Sequence, residues 1–492
     1  MARVDLNIPE HIPNFIDGQE RPAAGGATFG KLDPATGREL CRVSRSGAPD
    51  VGAAVSAARR AQPAWAEETP VHRGDLLRSL ALALRDCHEE VARIVHQETG
   101  KSLKDARGET SAAVEMGLFV AGEGRRFYGR TTTSATPHKN AMTVRQPLGV
   151  AGLIIAANTP IANVAWKAFP ALLCGNAAVL KPAEDAPASA WAFARLARED
   201  GIPAGVFNVV HGFGKEAGAP LVESPEVDVV SFTGSSEVGR FIQHAAGGRL
   251  AKVCLELGGK NPLVVCDDAD LELAAGAAIL SAFSNAGQRC AAGSRIIVFD
   301  AVYDRFRTLL VERARKLRVG CGDDDDYGPV INEKQLQHML GAVQAARKAG
   351  ATVLTGGDRL TGSRYDGGFF VAPTLIEGVT GNEAISRTEL FGPISCLYRV
   401  RDFAAALALA NDSPFGLTAS IHTASMHRAM VFTSRVRSGV AVVNGPTYGS
   451  EPHLPFGGLG ESGTGWREAG TEALDVYSDW KTVYINYTPS RV

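Results

Sequence analysis

No two of the eight cysteines stand in a C-x-x-C pair. Zinc-site and thioredoxin-like spacings are therefore absent, and no metal is expected. A chain of 492 residues stabilises itself by core burial, so a disulfide framework is not expected either, and the thiols imply a reducing compartment. A basic excess is also missing. The net charge of −2 argues against nucleic acid or an anionic membrane as the main partner. The longest apolar stretches, such as GVAGLIIAA, fall far short of the ~20 residues that span a bilayer. The opening MARVDLNIPEHIPNF has no apolar h-region and does not read as a secretory signal. There is no internal repeat and no low-complexity segment. These absences imply a soluble, cytoplasmic protein. What is present is 45% apolar and 21% charged residues, enough for large cores, in a chain long enough for more than one domain.

Residues 48 to 130 read mainly as helix, with apolar residues at helical spacing and a stop at Gly100. From residue 150 the pattern alternates. VAGLIIAAN, AAVLKP, VFNVVHG, VDVVSFTGS and AKVCLELGG read as strands, separated by helical NVAWKAFPALLCGN, APASAWAFARLAREDG, KEAGAPLVES and EVGRFIQHAAGG. That alternation implies a parallel sheet covered on both faces, with ligands at the carboxyl ends of its strands. RIIVF, ATVLTGG, ISCLYRV, LTASIHT and VAVVNG read as strands of a second α/β series. RTTTSATPHKNAMTVRQP fits an extended hairpin. The late KTVYINY reads as a β-prone segment able to pair with a neighbouring subunit.

Three segments at strand ends carry phosphate- or ribose-binding signals. HGFGKEAG places Gly212-x-Gly214-x-x-Ala217 between a strand and a helix, like the dinucleotide fingerprint; the ordinary alternative is a plain turn. SFTGSSEVGR offers Gly234 for close backbone approach and Ser235 at a helix start, where N–H groups would face a phosphate; the ordinary alternative is an N-cap without a ligand. LKPAED puts Lys181 and Glu184 on the same rim, where a carboxylate would hold ribose hydroxyls and repel a 2′-phosphate.

SNAGQRCAAGS sets Cys290 among small residues that leave its sulfur open. Glu256 in LELGGKNP and Asn158 in AANTP also stand at strand ends or loops. A thiol, a carboxylate and an amide donor would converge on one cleft. The ordinary alternative for the thiol is a small buried hydrophobe.

FSNAGQRCAAGSR, LELGGKNP, FTGSSEVG, LKPAE, ELFGP and PFGG, in that family's order over nearly the whole chain, resemble the aldehyde dehydrogenase superfamily. The resemblance implies that Cys290 attacks an aldehyde as a thiolate, with the Asn158 amide and the Cys290 N–H as oxyanion hole. Glu256 would activate water to hydrolyse the thioester. It implies NAD as cofactor, with NADP less preferred. Lys181 and Glu184 would hold the adenosine ribose, Ser235 the pyrophosphate and Glu389 the nicotinamide ribose. Phe391 would lie near the nicotinamide and Gly212 near the adenine. Glu468 matches an acid that relays protons in some members, or forms a structural salt bridge.

Departures touch the substrate side. Many members carry aromatics beside the asparagine, whereas Ala157 and Thr159 flank Asn158. Trp466 looks like an insertion. Trp166 remains as a tunnel wall, and Tyr448, His453 and Phe456 would line the mouth. Arg289 would either hold a substrate carboxylate or point into protein or solvent. PTYGSEPHLPFGG is similar to members acting on carboxylated semialdehydes. The implied fold is α/β in three parts. A Rossmann-like NAD-binding domain takes residues 1–125 and 147–257, and an α/β catalytic domain takes 258–458. A β oligomerisation arm of 126–146 joins the tail 459–492 to form a homodimer or homotetramer. Two other chemistries use the same residues: acyl transfer to CoA, which the presence of Glu256 opposes, and cofactor-free ester hydrolysis by the thiol. A non-catalytic binding protein is opposed by the intact set of Cys290, Glu256, Asn158, Lys181 and Glu389.

Overall fold

The computed structural model describes residues 5–491. Its first large sheet has seven strands, in the spatial order Lys252–Leu257, Val229–Gly234, Val150–Ile154, Ala177–Lys181, Phe207–Val209, Asn14–Ile16 and Gln19–Arg21. The first five run parallel, and the last two add an antiparallel edge. Both faces are covered, which is why the strands read as continuous apolar runs. Along Val150–Ile154, Ala151 and Leu153 pack into a core with helices Pro160–Leu173 and Ala188–Glu199. Val150 and Ile154 pack into the opposite core with helices Ala48–Glu67 and Ser236–Gly247.

Chain direction across this sheet creates the cleft. From Val150–Ile154 the next two strands add on one side, and Val229–Gly234 then returns to the other side. The helices that follow the two central strands diverge at that reversal and leave a crevice at the carboxyl ends.

A second sheet runs Thr352–Thr355, Thr374–Glu377, Ile394–Val400, Gly293–Phe299, Asn261–Val265, Thr418–His422 and Val440–Val443, parallel except for its first strand. All five strands read for this series are present. The sequence reading leaves strands Asn261–Val265 and Thr374–Glu377 and helices Leu271–Phe283, Glu333–Lys348, Phe403–Asn411 and Met426–Arg435 unassigned. Leu271–Phe283 is apolar nearly all round, so it carries little periodicity to read.

The N-terminal helical region divides into Ala48–Glu67, Pro70–Asp86, His88–Thr99 and Leu103–Glu123. Gly100 is the stop expected of it, at φ 74°. The hairpin forms from Arg130–Thr133 and Lys139–Pro147. The late strand differs from the inter-subunit expectation on one edge. Ser478–Asn486 pairs within its own chain, antiparallel to Lys139–Pro147 over its full length. Among the described residues no helix is long and apolar enough to cross a membrane.

Helix Pro160–Leu173 carries cleft residues on its first turns and is anchored by Phe169, which is fully buried edge-on to Phe193 at 5.6 Å between ring centroids. Phe169→Ala should cost about 3–5 kcal/mol of core stability. A clear drop in melting temperature is expected, and an unchanged melting curve would show that this helix is held elsewhere.

Candidate active site

The cleft between the two sheets encloses about 1200 Å³. Cys290, Glu256 and Asn158 all line it, so the three proposed chemical groups meet in one cavity. They arrive from different elements. Glu256 is the penultimate residue of the edge strand of the first sheet, opposite Thr233 in register. Asn158 lies in the loop after Val150–Ile154, and Cys290 in the loop before Gly293–Phe299.

The Cys290 loop is built by backbone strain and amide clamps. Asn285, Ala286 and Gly287 are consecutive left-handed residues at φ 52°, 54° and 66°. For the two non-glycine residues this conformation costs about 1–2 kcal/mol each. Side-chain amides hold the turn. Asn285 Nδ2 donates to Gln288 O at 3.2 Å and to Asn158 O at 3.1 Å. Gln288 Oε1 accepts from Ile331 N at 2.8 Å. Asn261 Nδ2 donates to the carbonyls of Cys290 and Ala292 at 2.8 and 2.9 Å.

Asn158 is fixed from both ends. Its Nδ2 donates to Gln288 O at 3.0 Å, which leaves one amide hydrogen for an oxyanion. Its backbone carbonyl accepts from Lys101 Nζ at 2.7 Å. Lys101 and Glu109 form a buried ion pair, with side chains 3% and 4% exposed. Glu109 Oε1 accepts from Ile161 N at 3.0 Å, at the start of the helix that follows Asn158. The sequence reading did not single out Lys101, Glu109, Asn261, Asn285 or Gln288. The last two lie inside the cysteine motif, where amide side chains beside small residues were the available signal.

Electrostatically, burial raises Glu256, Glu389 and the Cys290 thiol above their ordinary values. Burial, and then the carboxylate of Glu468, pushes Glu256 well above the usual carboxylate range. Its Oε1 has no hydrogen-bond partner. Burial and the carboxylates of Glu256 and Glu389 raise the Cys290 thiol too. The thiol therefore needs a base to become the attacking thiolate, because the site supplies no positive field strong enough to offset desolvation. Glu389 is pushed up to about 7 by burial, opposed by the Gly259 N–H that donates to it at 3.1 Å. A Cβ on Gly258 would lie 1.7 Å from Glu389 Oε2, so glycine is needed for this approach. Glu468 pairs with buried Lys167 and also lines the cleft, which leaves both of its sequence readings standing.

Of the expected cofactor residues, Gly234, Ser235, Glu389 and Phe391 line the cavity, and Lys181, Glu184 and Gly212 do not. Ser235 Oγ accepts from Val238 N at 3.4 Å and caps helix Ser236–Gly247, as its ordinary reading states. Lys181 and Glu184 sit at the end of the next strand and pair with each other at 3.3 Å. Gly212, at φ 144°, is packed against the backbone of Ser46 and the methyl of Ala217, which corresponds to the plain-turn alternative. On the substrate side Trp166 meets Phe456 edge-on at 5.6 Å, and Arg289 and Tyr448 complete the wall. His453 departs from expectation. Its side chain is 54% exposed and lies near Glu451 at 3.8 Å, outside the cavity wall, because His453, like Glu451 and Leu454 beside it, stands on the exposed part of the loop.

Residues 21–483 match the model of the aldehyde dehydrogenase family. The chain is similar to an alpha-ketoglutaric semialdehyde dehydrogenase of Bacillus subtilis (strain 168), at 38% identity over 96% of this chain and 97% of that one. It is similar to a succinate-semialdehyde dehydrogenase (NADP(+)) of Escherichia coli (strain K12), at 38% identity over 96% and 97%. The crystal structure of betaine aldehyde dehydrogenase from Staphylococcus aureus in complex with NAD+ superposes at a TM-score of 0.95. That protein is 32% identical, with 97% of this chain and 95% of the other covered.

The raised thiol makes a prediction for the free protein. Alkylation of the Cys290 peptide by iodoacetamide, followed by mass spectrometry, should be slow at neutral pH. It should still be climbing above the ordinary thiol value of about 8.5. A rate already saturated at pH 7 would mean a stabilised thiolate.

Proposed function

The chain belongs to the aldehyde dehydrogenase family, and we propose that Cys290, Glu256 and Asn158 carry out its chemistry. The enzyme oxidises an aldehyde to the carboxylic acid with NAD. The observation that carries the residue assignment is the convergence of the three groups on one cavity.

Cys290 gives up its proton, with Glu256 as the acceptor available in the cleft, and its sulfur bonds to the carbonyl carbon. The carbonyl oxygen becomes an oxyanion, which takes hydrogen bonds from the free Asn158 amide hydrogen and the Cys290 N–H. A bound nicotinamide dinucleotide supplies the acceptor for the hydride that leaves this adduct. The acyl group is then a thioester on Cys290. Glu256 first releases the thiol proton to solvent; in its ionised form it then takes a proton from water, and the water oxygen attacks the thioester carbon. The carboxylic acid leaves, and the Cys290 sulfur takes the proton back from Glu256. The presence of Glu256 supports hydrolysis over acyl transfer to CoA.

The cleft suits a dinucleotide. The N-terminus of helix Ser236–Gly247 opens onto it beside Ser235, and free N–H groups there favour a pyrophosphate. Glu389 would hold the nicotinamide ribose, with Phe391 beside it. Lys181 and Glu184 would hold the adenosine ribose, and the Glu184 carboxylate favours NAD over NADP. Gly212 would lie near the adenine.

We assign the cofactor part to residues 1–125 and 147–257, the catalytic part to 258–458 and the arm to 126–146 with the tail. The hairpin sheet leaves Trp480, Tyr484 and Ile485 exposed, which supports a homodimer or homotetramer built through it. A cytoplasmic location is part of the same reading.

Cys290→Ala should abolish aldehyde oxidation and retain NAD binding, read by NADH formation and by titration with NAD. Glu256→Gln should give an NADH burst followed by turnover slowed about 100-fold or more. A slow steady state without a burst would place the lost step at thiol activation rather than at deacylation.

A base works only when ionised, and Glu256 is raised. The acid limb of the steady-state rate should therefore lie above the ordinary carboxylate range, with activity falling as pH drops through the raised value. Glu256→Gln should lose that limb.

Glu109→Gln should let the Asn158 loop drift and lower kcat by about 10–100-fold, with KM much less affected. An unchanged kcat would show that Asn158 is positioned without it.

A further inference from the structure

We propose that the substrate is a short aliphatic aldehyde carrying a carboxylate at its far end, and that Arg289 binds that carboxylate. The inference rests on the oxidation proposed above and concerns what the same cavity selects. Among the cations on the cavity wall, Lys101 and Arg387 are already matched, whereas Lys104, Lys334 and Arg289 have no carboxylate within ion-pairing distance among the described residues. Lys101 pairs with Glu109, Lys167 behind the wall pairs with Glu468, and Arg387 pairs with Asp412. The Arg289 guanidinium is nevertheless held in place. Nε donates to Ser284 Oγ at 3.1 Å, and the plane lies over the Tyr448 ring, 4.7 Å from its centroid. Both contacts use one edge and one face. The two terminal nitrogens have no hydrogen-bond partner, so the fork that fits a carboxylate is free.

Position limits the length of the ligand. Arg289 adjoins Cys290 in the chain, with Cα atoms about 3.8 Å apart. An aldehyde bonded to the sulfur therefore reaches the guanidinium with a short chain. The other acids facing the cleft are Asp105, Glu237, Glu256, Glu389 and Glu461, the last paired with Arg240. None is paired with Arg289. The aromatic wall of Trp166, Tyr448 and Phe456 takes the methylene groups between the two ends. A cationic aldehyde of the same size would meet the guanidinium as a like charge.

The test compares succinic semialdehyde with butanal and with betaine aldehyde, followed by NADH formation with NAD. The wild-type enzyme should favour the carboxylated aldehyde over the neutral one in kcat/KM, and the cationic one should be poorest. In Arg289→Ala the carboxylated-to-neutral ratio should fall by about 30-fold or more. Arg289→Lys, which keeps charge but loses the fork, should fall in between. Succinate should inhibit the unmodified enzyme competitively against the aldehyde, and butyrate much less, a readout that does not depend on any variant folding. Equal use of butanal and succinic semialdehyde, with a ratio unmoved in both variants, would overturn this inference and leave the oxidation standing. No NADH from any aldehyde would overturn both.

Discussion

Withholding water from Glu256 is the constraint on which the site turns. The carboxyl belongs to the penultimate residue of a strand at the sheet margin, buried, with one oxygen unpartnered and Glu468 nearby. A charged carboxylate there is costly, so the group is raised and becomes a base strong enough to act on a thiol or a water. Cys290 is raised by the same burial and by Glu256 itself. The two acids are coupled, and negative charge on one opposes it on the other. In the proposed mechanism the same carboxylate serves both halves of the cycle: it accepts the thiol proton on attack, releases it to solvent, and then accepts a proton from water on deacylation.

Such coupling demands fixed positions. The Cys290 turn is bent through left-handed Asn285 and Ala286, a conformation that persists only because side-chain amides hold it from several sides. The same amides reach the Asn158 loop, so the nucleophile and the proposed oxyanion donor are parts of one hydrogen-bonded unit spanning the two sheets. Displacement of either loop would disturb both.

The cysteine, glutamate and asparagine were legible because each interrupts a strand–helix rhythm with small or glycine residues, and the rhythm says where strand ends lie. The alternating sheet was legible for a related reason: continuous apolar runs of five or six residues mark strands covered on both faces. What was not legible depended on distant chain segments. Lys101 and Glu109 stand eight positions apart around a helix start and look like solvated charges. Only the tertiary fold brings them under Asn158. His453 looked equivalent to Phe456, yet the loop turns one outward and the other inward. Gly212 resembled a fingerprint glycine, and its close packing against Ser46 is equally what a plain turn shows.

The Lys101–Glu109 pair shows why a buried ion pair is retained at such a site. Desolvating two charges is expensive, and their attraction alone rarely offsets it. Here the remaining valences are used. Lys101 also donates to the Asn158 carbonyl, and Glu109 also accepts from Ile161 N, at the first turn of the following helix. A hydrophobic pair of equal volume would pack the same space, but it would leave those backbone groups unsatisfied at the rim of the cleft. The pair therefore contributes orientation more than stability: it fixes the direction in which the Asn158 amide meets the incoming oxygen.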